Sequence, residues 1–292
     1  MDGPTKTRTA LDPLPAHKAR VSLKTALTTP TTLYTANRTC AKASVRKTSS
    51  ARASLFLGSV VTVRMQLESS VKNTYTRMFL GGFKMNKYLV ELVGTFFLVF
   101  TIGCTVVGNG AGALAPLAIG SALMVMVFAG GHISGGHYNP AVTLGVWLRG
   151  KCEAKDVAPY MIFQIVGSVL AALAVKYLKV GAEVRPMSVA VLPDLLAEFL
   201  FTFALVFVVL NTATAKGTAG NSFYGLAIGF TVMTGAFAVA NISGAAFNPA
   251  VAVGISVMGL AAWRSIWLYW LAEFSAAVAA ALLFRMTNPD DK

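Results

Sequence analysis

Charge is what this chain has least of. Only 13% of its 292 residues are charged while 55% are hydrophobic, and its mean hydropathy is +0.63. Soluble domains carry about 25% charged residues, so a soluble globular fold is excluded and the composition is that of a membrane protein. Cysteine is scarce as well. Cys40, Cys104 and Cys152 are odd in number and far apart, which implies no disulfide framework and gives no metal spacing. His132 and His137 stand five positions apart with no third ligand near them, so no metal site is expected. Neither a cofactor motif nor a nucleophile–base pair is present, so the chain does not read as an enzyme.

Acidic residues are nearly missing from the first part of the chain. Residues 1–87 hold 15 Lys/Arg against 3 Asp/Glu, whereas residues 88–292 hold 10 against 9. The net charge of +13 is therefore a property of the tail. That tail lacks aromatic interleaving and any recognisable binding fold, which argues against nucleic acid as a partner. It also lacks an early apolar run, which excludes an ordinary secretory signal. Two readings stand for residues 1–84. The Ser/Thr-rich, acid-poor composition suits an organellar transit peptide, which would place the protein in a plastid or other organelle membrane. It also suits a solvated tail that meets anionic lipid. The apolar stretch Leu55–Val63 is too short to span. Met85, followed by Asn86-Lys87, looks like the start of a shorter ancestral protein.

The body, residues 85–286, carries what the tail does not. Six apolar runs are long enough for a bilayer, which takes about 20 residues. They are Tyr88–Val107, Leu114–Gly131, Val157–Leu178, Leu195–Thr214, Phe223–Ala240 and Ile266–Met286. Two shorter stretches, Asn139–Leu148 and Asn248–Met258, precede the third and sixth. Gly108–Gly112 and Lys179–Pro193 read as loops. Residues 287–292 form a short C-terminal tail.

The body is duplicated, with one repeat over 88–178 and the other over 195–286. Ile133-Ser-Gly-Gly-His137-Tyr-Asn139-Pro140-Ala141-Val142 returns 109 positions later as Ile242-Ser-Gly-Ala245-Ala-Phe-Asn248-Pro249-Ala250-Val251. Glu91 and Thr95 pair with Glu198 and Thr202; Gln164 and Glu273 each lie 25 residues after their Asn; Gly120 and Gly229 are 109 apart. Three spans per copy force the second copy to be inverted in the membrane. Asn is a strong helix N-cap, and Pro fits the first turn, where its missing N–H costs nothing. Each Asn-Pro-Ala thus starts a half-helix at membrane depth, tolerated only where the free N–H groups are buried in protein or line a wet cavity. Two such starts in inverted repeats point to a site at the bilayer midplane.

Glu-x-x-Gly-Thr from Glu91, Gly131-His-Ile-Ser-Gly-Gly-His-Tyr-Asn-Pro-Ala-Val-Thr143 and the second Asn-Pro-Ala together resemble the aquaporin, or major intrinsic protein, family over about residues 86–286. The resemblance implies an all-α membrane bundle of six spans plus two re-entrant half-helices, a passive channel for water and small neutral solutes, and a homotetramer in the lipid bilayer. In such a channel Asn139 and Asn248 cap their helices with the side-chain oxygen and turn the amide toward the pore, with Pro140 and Pro249 at the junction. Positive dipole ends on both sides then oppose cations and protons. Glu91, Glu198, Gln164 and Glu273 are expected to be buried anchors for the loops, a reading preferred to a proton relay. His132 and His137 are expected to anchor the first loop.

The resemblance also implies a filter near the outer mouth at Ile119, Ala236, Ala245 and Val251. Water-selective relatives carry an aromatic, a His and an Arg across these positions, with the Arg directly after the second Asn-Pro-Ala. Here that residue is Val251. The glycerol-conducting branch places an Asp soon after that Arg, and this too is missing. A wider, less polar constriction is the expectation, open to glycerol, urea, ammonia or undissociated acids. A secondary transporter also has inverted repeats and broken helices, and a non-conducting structural membrane protein is the other alternative.

Overall fold

The computed structural model describes residues 85–108 and 110–291; the extension over residues 1–84 lies outside the described residues. Among the described residues the chain is all helical, and six helices are long and apolar enough to cross a membrane. They are α1 (Met85–Val106), α2 (Ala115–Ser134), α4 (Ala154–Leu178), α5 (Val191–Val209), α6 (Tyr224–Ser243) and α8 (Ile266–Thr287). Between them lie two short helices, α3 (Pro140–Leu148) and α7 (Pro249–Met258). The chain is an integral multi-pass membrane protein, and α1 begins on the same face on which α8 ends. We call this the inner face.

Boundaries moved where helix chemistry overrides hydropathy. α2 and α6 run three residues past the expected ends, through the polar Ser134 and Ser243. They stop only at Gly135 (φ 92°) and Gly244 (φ 91°), left-handed caps that cost a Cβ-free residue nothing. α5 begins at Val191, so the expected loop ends before Pro193, which sits in the first helical turn. Beyond Val209 the fourth span continues as a single π-helical turn, Leu210–Thr214.

The two repeats interlock. α1 packs on α2 and α4, α5 packs on α6 and α8, and α2 crosses α6. Each half-helix leans on the other repeat: α3 on α8, α7 on α4. Small residues make these approaches possible, as expected where van der Waals packing must hold helices together in lipid. A Cβ added to Gly167 would strike the Leu92 carbonyl, and one on Gly145 would lie 2.5 Å from Val206. The outward faces remain apolar, with Leu89, Val93 and Phe97 of α1 exposed on one stripe.

Candidate functional site

The half-helices start as the Asn-Pro-Ala chemistry dictates. Asn139 Oδ1 accepts from Ala141 N (2.8 Å) and Val142 N (3.4 Å), and Asn248 Oδ1 accepts from Ala250 N (2.9 Å) and Val251 N (3.4 Å). Each asparagine also reaches into the opposite repeat. Asn139 Nδ2 donates to the Phe247 carbonyl and Asn248 Nδ2 to the Tyr138 carbonyl, both at 2.8 Å. These reciprocal bonds tie the two loops together; Pro140 and Pro249 are buried. A primary amide has two N–H groups, so each asparagine keeps one for another acceptor.

The loops leading to the asparagines are held from behind. Glu91, fully buried, accepts from Ser134 Oγ (2.7 Å), His137 N (3.0 Å), Tyr138 N (2.6 Å) and Gln164 Nε2 (2.8 Å). Glu198 repeats the pattern with Ser243 Oγ (2.6 Å), Ala246 N (3.0 Å) and Phe247 N (2.7 Å). Orphan backbone donors that would cost several kcal/mol each in a dry interior are thus satisfied. Symmetry fails at the third anchor. Gln164 donates to Glu91 and to Thr143 Oγ1 (3.0 Å), whereas Glu273 accepts from Asn248 N (2.8 Å).

His132 departs from expectation. It lies on the outer side of the last turn of α2, is exposed, and makes no hydrogen bond among the described residues. Continuation of the helix through Ser134 is the reason, because it leaves His132 on the turn rather than in the loop. His137 is the buried partner, with Nδ1 3.1 Å from Thr143 Oγ1.

Four aromatic residues beyond the expected anchors complete the arrangement, Tyr138 and Phe247 within the repeated motif and Tyr160 and Tyr269 outside it. Tyr160 and Tyr269 donate to the carbonyls of Ser134 and Ser243, both at 2.7 Å. Tyr138 (φ 50°) and Phe247 (φ 50°) hold left-handed backbone directly before the asparagines, a conformation bulky residues adopt only when the surroundings fix it. The Tyr138 ring occupies the space a Cβ on Gly94 or Gly130 would fill. At the place of Gly94 the second repeat has Phe201, whose ring meets Phe247 at 5.4 Å; Gly235 supplies the room instead. The signal in the sequence was the same 109-residue offset, which relates Tyr138 to Phe247 and Tyr160 to Tyr269.

Three spaces follow one another through the bundle. The inner vestibule, about 460 Å³, is lined by Lys87, His137, Val146, Cys152, Asp156 and Thr214, among others. A neck of about 20 Å³ follows, with Asn139 and Asn248 in its wall among Leu98, Leu123, Val142 and Val232. The outer vestibule, about 550 Å³, contains all four expected filter positions: Ile119, Ala236, Ala245 and Val251. Neighbouring spaces share walls, His137 and Val209 on the inner side, Ile119, Ala245 and Val251 on the outer. The smallest of the three spaces is lined by both asparagines and by three of the filter positions, Ile119, Ala245 and Val251; Ala236 lines only the outer vestibule.

One buried charge pair stands in the wall of the inner vestibule. Lys87 Nζ bonds the Asp156 carboxylate, which also accepts from Tyr88 OH at 2.7 Å. Cys152, half-buried just before α4, has its thiol pushed up to about 11, first by burial and then by the neighbouring Asp156 carboxylate. Among the described residues no group of three His, Cys, Asp or Glu is placed to hold a metal.

Comparison with known proteins decides the family. The family model described as major intrinsic protein matches residues 82–284. The chain belongs to the major intrinsic protein family. It is 34% identical over 226 residues to the Arabidopsis thaliana protein named aquaporin NIP1-2, covering 71% of this chain and 76% of that one. It is 36% identical over 217 residues to a Lactiplantibacillus plantarum protein named glycerol uptake facilitator protein-like 6, covering 71% of this chain and all of that one. The solved aquaglyceroporin of Plasmodium falciparum shares the fold, with a TM-score of 0.56 at 19% identity over 70% of this chain and 96% of that chain. As a member of this family the protein is a channel and not an enzyme.

Proposed function

We propose that this major intrinsic protein passes water and small neutral solutes, such as glycerol, urea, ammonia or undissociated acids, down their gradients. The reading is carried by one observation: two half-helix N-termini and their asparagines share the wall of a narrow neck between two vestibules. A permeating oxygen there accepts from the amide N–H that each asparagine retains. Positive helix ends face it from both repeats, which opposes cations and protons while neutral hydrogen-bonding solutes pass. At the outer end of the neck, Ile119, Ala236, Ala245 and Val251 act as a filter that is small and apolar. Lacking a fixed cation or a His, it discriminates by width more than by charge. The names of the plant and bacterial relatives support the two halves of this reading, water and glycerol.

Glu91, Glu198, Gln164 and Glu273 serve as loop anchors rather than as a relay, since Glu91 and Glu198 each accept two backbone N–H groups of their loop, Glu273 accepts Asn248 N, and Gln164 braces Glu91. The working unit is a homotetramer, testable by sedimentation in detergent, and an organelle membrane is the location the extension suits.

Purified protein in liposomes, mixed with osmotic gradients of sucrose, glycerol and urea in stopped flow, tests the reading. Water and solute fluxes proportional to the gradient and indifferent to ion gradients are expected. Saturating or ion-coupled flux would replace the channel by a transporter. Flux no faster than empty liposomes would mean a non-conducting member.

A further inference from the structure

The π-helical turn at the end of the fourth span is held from outside itself. A π turn leaves carbonyls without regular helical partners, and such turns collect at functional sites. Here Thr218 Oγ1 donates to Asn211 O (2.6 Å), Asn221 Nδ2 to Thr212 O (2.7 Å) and Arg149 Nη2 to Thr214 O (3.4 Å). The same turn forms part of the inner vestibule wall, through Ala213 and Thr214.

Arg149 is the C-cap of α3, so it sits where the first half-helix ends. It is buried at 5% exposure, and its guanidinium lies 4.6 Å from the centre of the Phe284 ring. What compensates this charge comes from beyond α8. Asp291 Oδ1 accepts from Arg149 Nη2 at 2.6 Å, and its Oδ2 accepts from Lys216 N at 2.7 Å. Lys216 Nζ in turn donates to the Asp290 carbonyl at 3.2 Å, and Arg285 Nη2 donates to the Leu148 carbonyl. One carboxylate therefore joins the half-helix, the connector after the π turn and the end of the last span. Lys216 N–H, then Arg149, hold that carboxyl below its usual range.

We propose that Asp291 and Arg149 form a latch that sets the inner mouth of the channel. Engaged, the latch fixes the π turn and keeps Ala213 and Thr214 back in the vestibule wall. Released, Arg149 loses its buried counter-charge and the turn loses one of its three outside supports, so the wall moves in and flux falls. An isolated surface ion pair contributes little, but this carboxylate bridges Arg149 and the Lys216 N–H, and the guanidinium it meets is packed on an aromatic ring and nearly closed to water.

The inference rests on reading the vestibules as the route of permeation, and its test separates the two. Asp291→Asn and Asp291→Glu are compared with wild type in liposomes for water flux, and by hydrogen–deuterium exchange over residues 210–216. Asp291→Asn should cut water flux at least twofold and raise exchange in that window, with an unchanged elution profile and melting curve for the bundle; Asp291→Glu should restore both. Unchanged or faster flux in Asp291→Asn, or unchanged exchange, overturns the latch. If wild type conducts no water, the channel reading fails, and the exchange result alone then decides the latch.

Discussion

Asn139 and Phe247, 108 positions apart, are joined by a 2.8 Å hydrogen bond from a side-chain amide to a backbone carbonyl. The asparagine thus has two tasks: its oxygen caps α3 and its nitrogen ties the repeats. Asn139→Asp separates them, because Asp is as good a cap and favours the positive helix end but presents an oxygen to the Phe247 carbonyl. Asn139→Asp is expected to melt lower than wild type in detergent, by the worth of about 1–2 kcal/mol for the lost bond and the acceptor facing an acceptor. Asn139→Ala should lose a further ~1 kcal/mol with the cap. An Asp variant as stable as wild type would remove the tie from the account.

Much of this site could be read from sequence because duplication exposes it. An offset of 107–109 residues pairs Glu91 with Glu198, Asn139 with Asn248 and Gly120 with Gly229, and each pair lies in matching surroundings. What could not be read depends on geometry between repeats. That Nδ2 of one asparagine reaches the carbonyl before the other follows only once the half-helices meet end to end. The left-handed φ of Tyr138 and Phe247 is imposed by the loop anchors, against the preference of both residues. Of the two histidines expected to anchor the first loop only His137 does so, because α2 continues through Gly130 and Gly131 to Ser134 and keeps His132 on the helix. The tail carboxylate on Arg149 carries no repeat partner and no motif, and nothing in the local sequence announces it.

Gly120 and Gly229 mark the crossing of α2 and α6. A Cβ on Gly120 would stand 2.6 Å from the Gly229 carbonyl, and one on Gly229 would stand 2.5 Å from that of Gly120. Backbone on both sides leaves nothing flexible to yield. Gly120→Ala is therefore expected to destabilise by about 1–3 kcal/mol, the usual cost of overpacking, and to lower the melting temperature in detergent. Gly217→Ala, with nothing within 4 Å of the added carbon, should melt like wild type. Equal melting of both variants would mean that the helices slide apart at little cost.

Cys152 offers a chemical probe of the inner vestibule. The thiolate is the reactive form, and a thiol held near 11 is almost wholly protonated at neutral pH. In a background with Cys40 and Cys104 replaced by Ser, labelling by a charged methanethiosulfonate should be slow at pH 7 and rise about tenfold per pH unit to pH 9 and beyond. A free thiol would instead level off near pH 8.5. Because Cys152 lines the inner vestibule, the labelled protein should conduct water more slowly than the unlabelled protein. Labelling that plateaus near pH 8.5 would place the thiol in open water.

Val251 is where selectivity should be most easily moved. Its backbone N–H donates to the capping Asn248 Oδ1 at 3.4 Å, a bond no side-chain change removes, and Val251 lines both the neck and the outer vestibule. Val251→Arg puts a fixed cation and five N–H donors against Ile119, Ala236 and Ala245. The added side chain narrows a passage that is now apolar, and its charge strengthens the barrier to cations. Glycerol and urea flux should then fall by about tenfold or more while water flux stays within about threefold, since water is the smallest solute and can exchange hydrogen bonds with the guanidinium. Val251→Leu adds bulk without charge and separates the two effects: it should slow glycerol without altering ion leak. Equal glycerol flux in wild type and Val251→Arg would show that the neck at Asn139 and Asn248, and not these four residues, selects the solute.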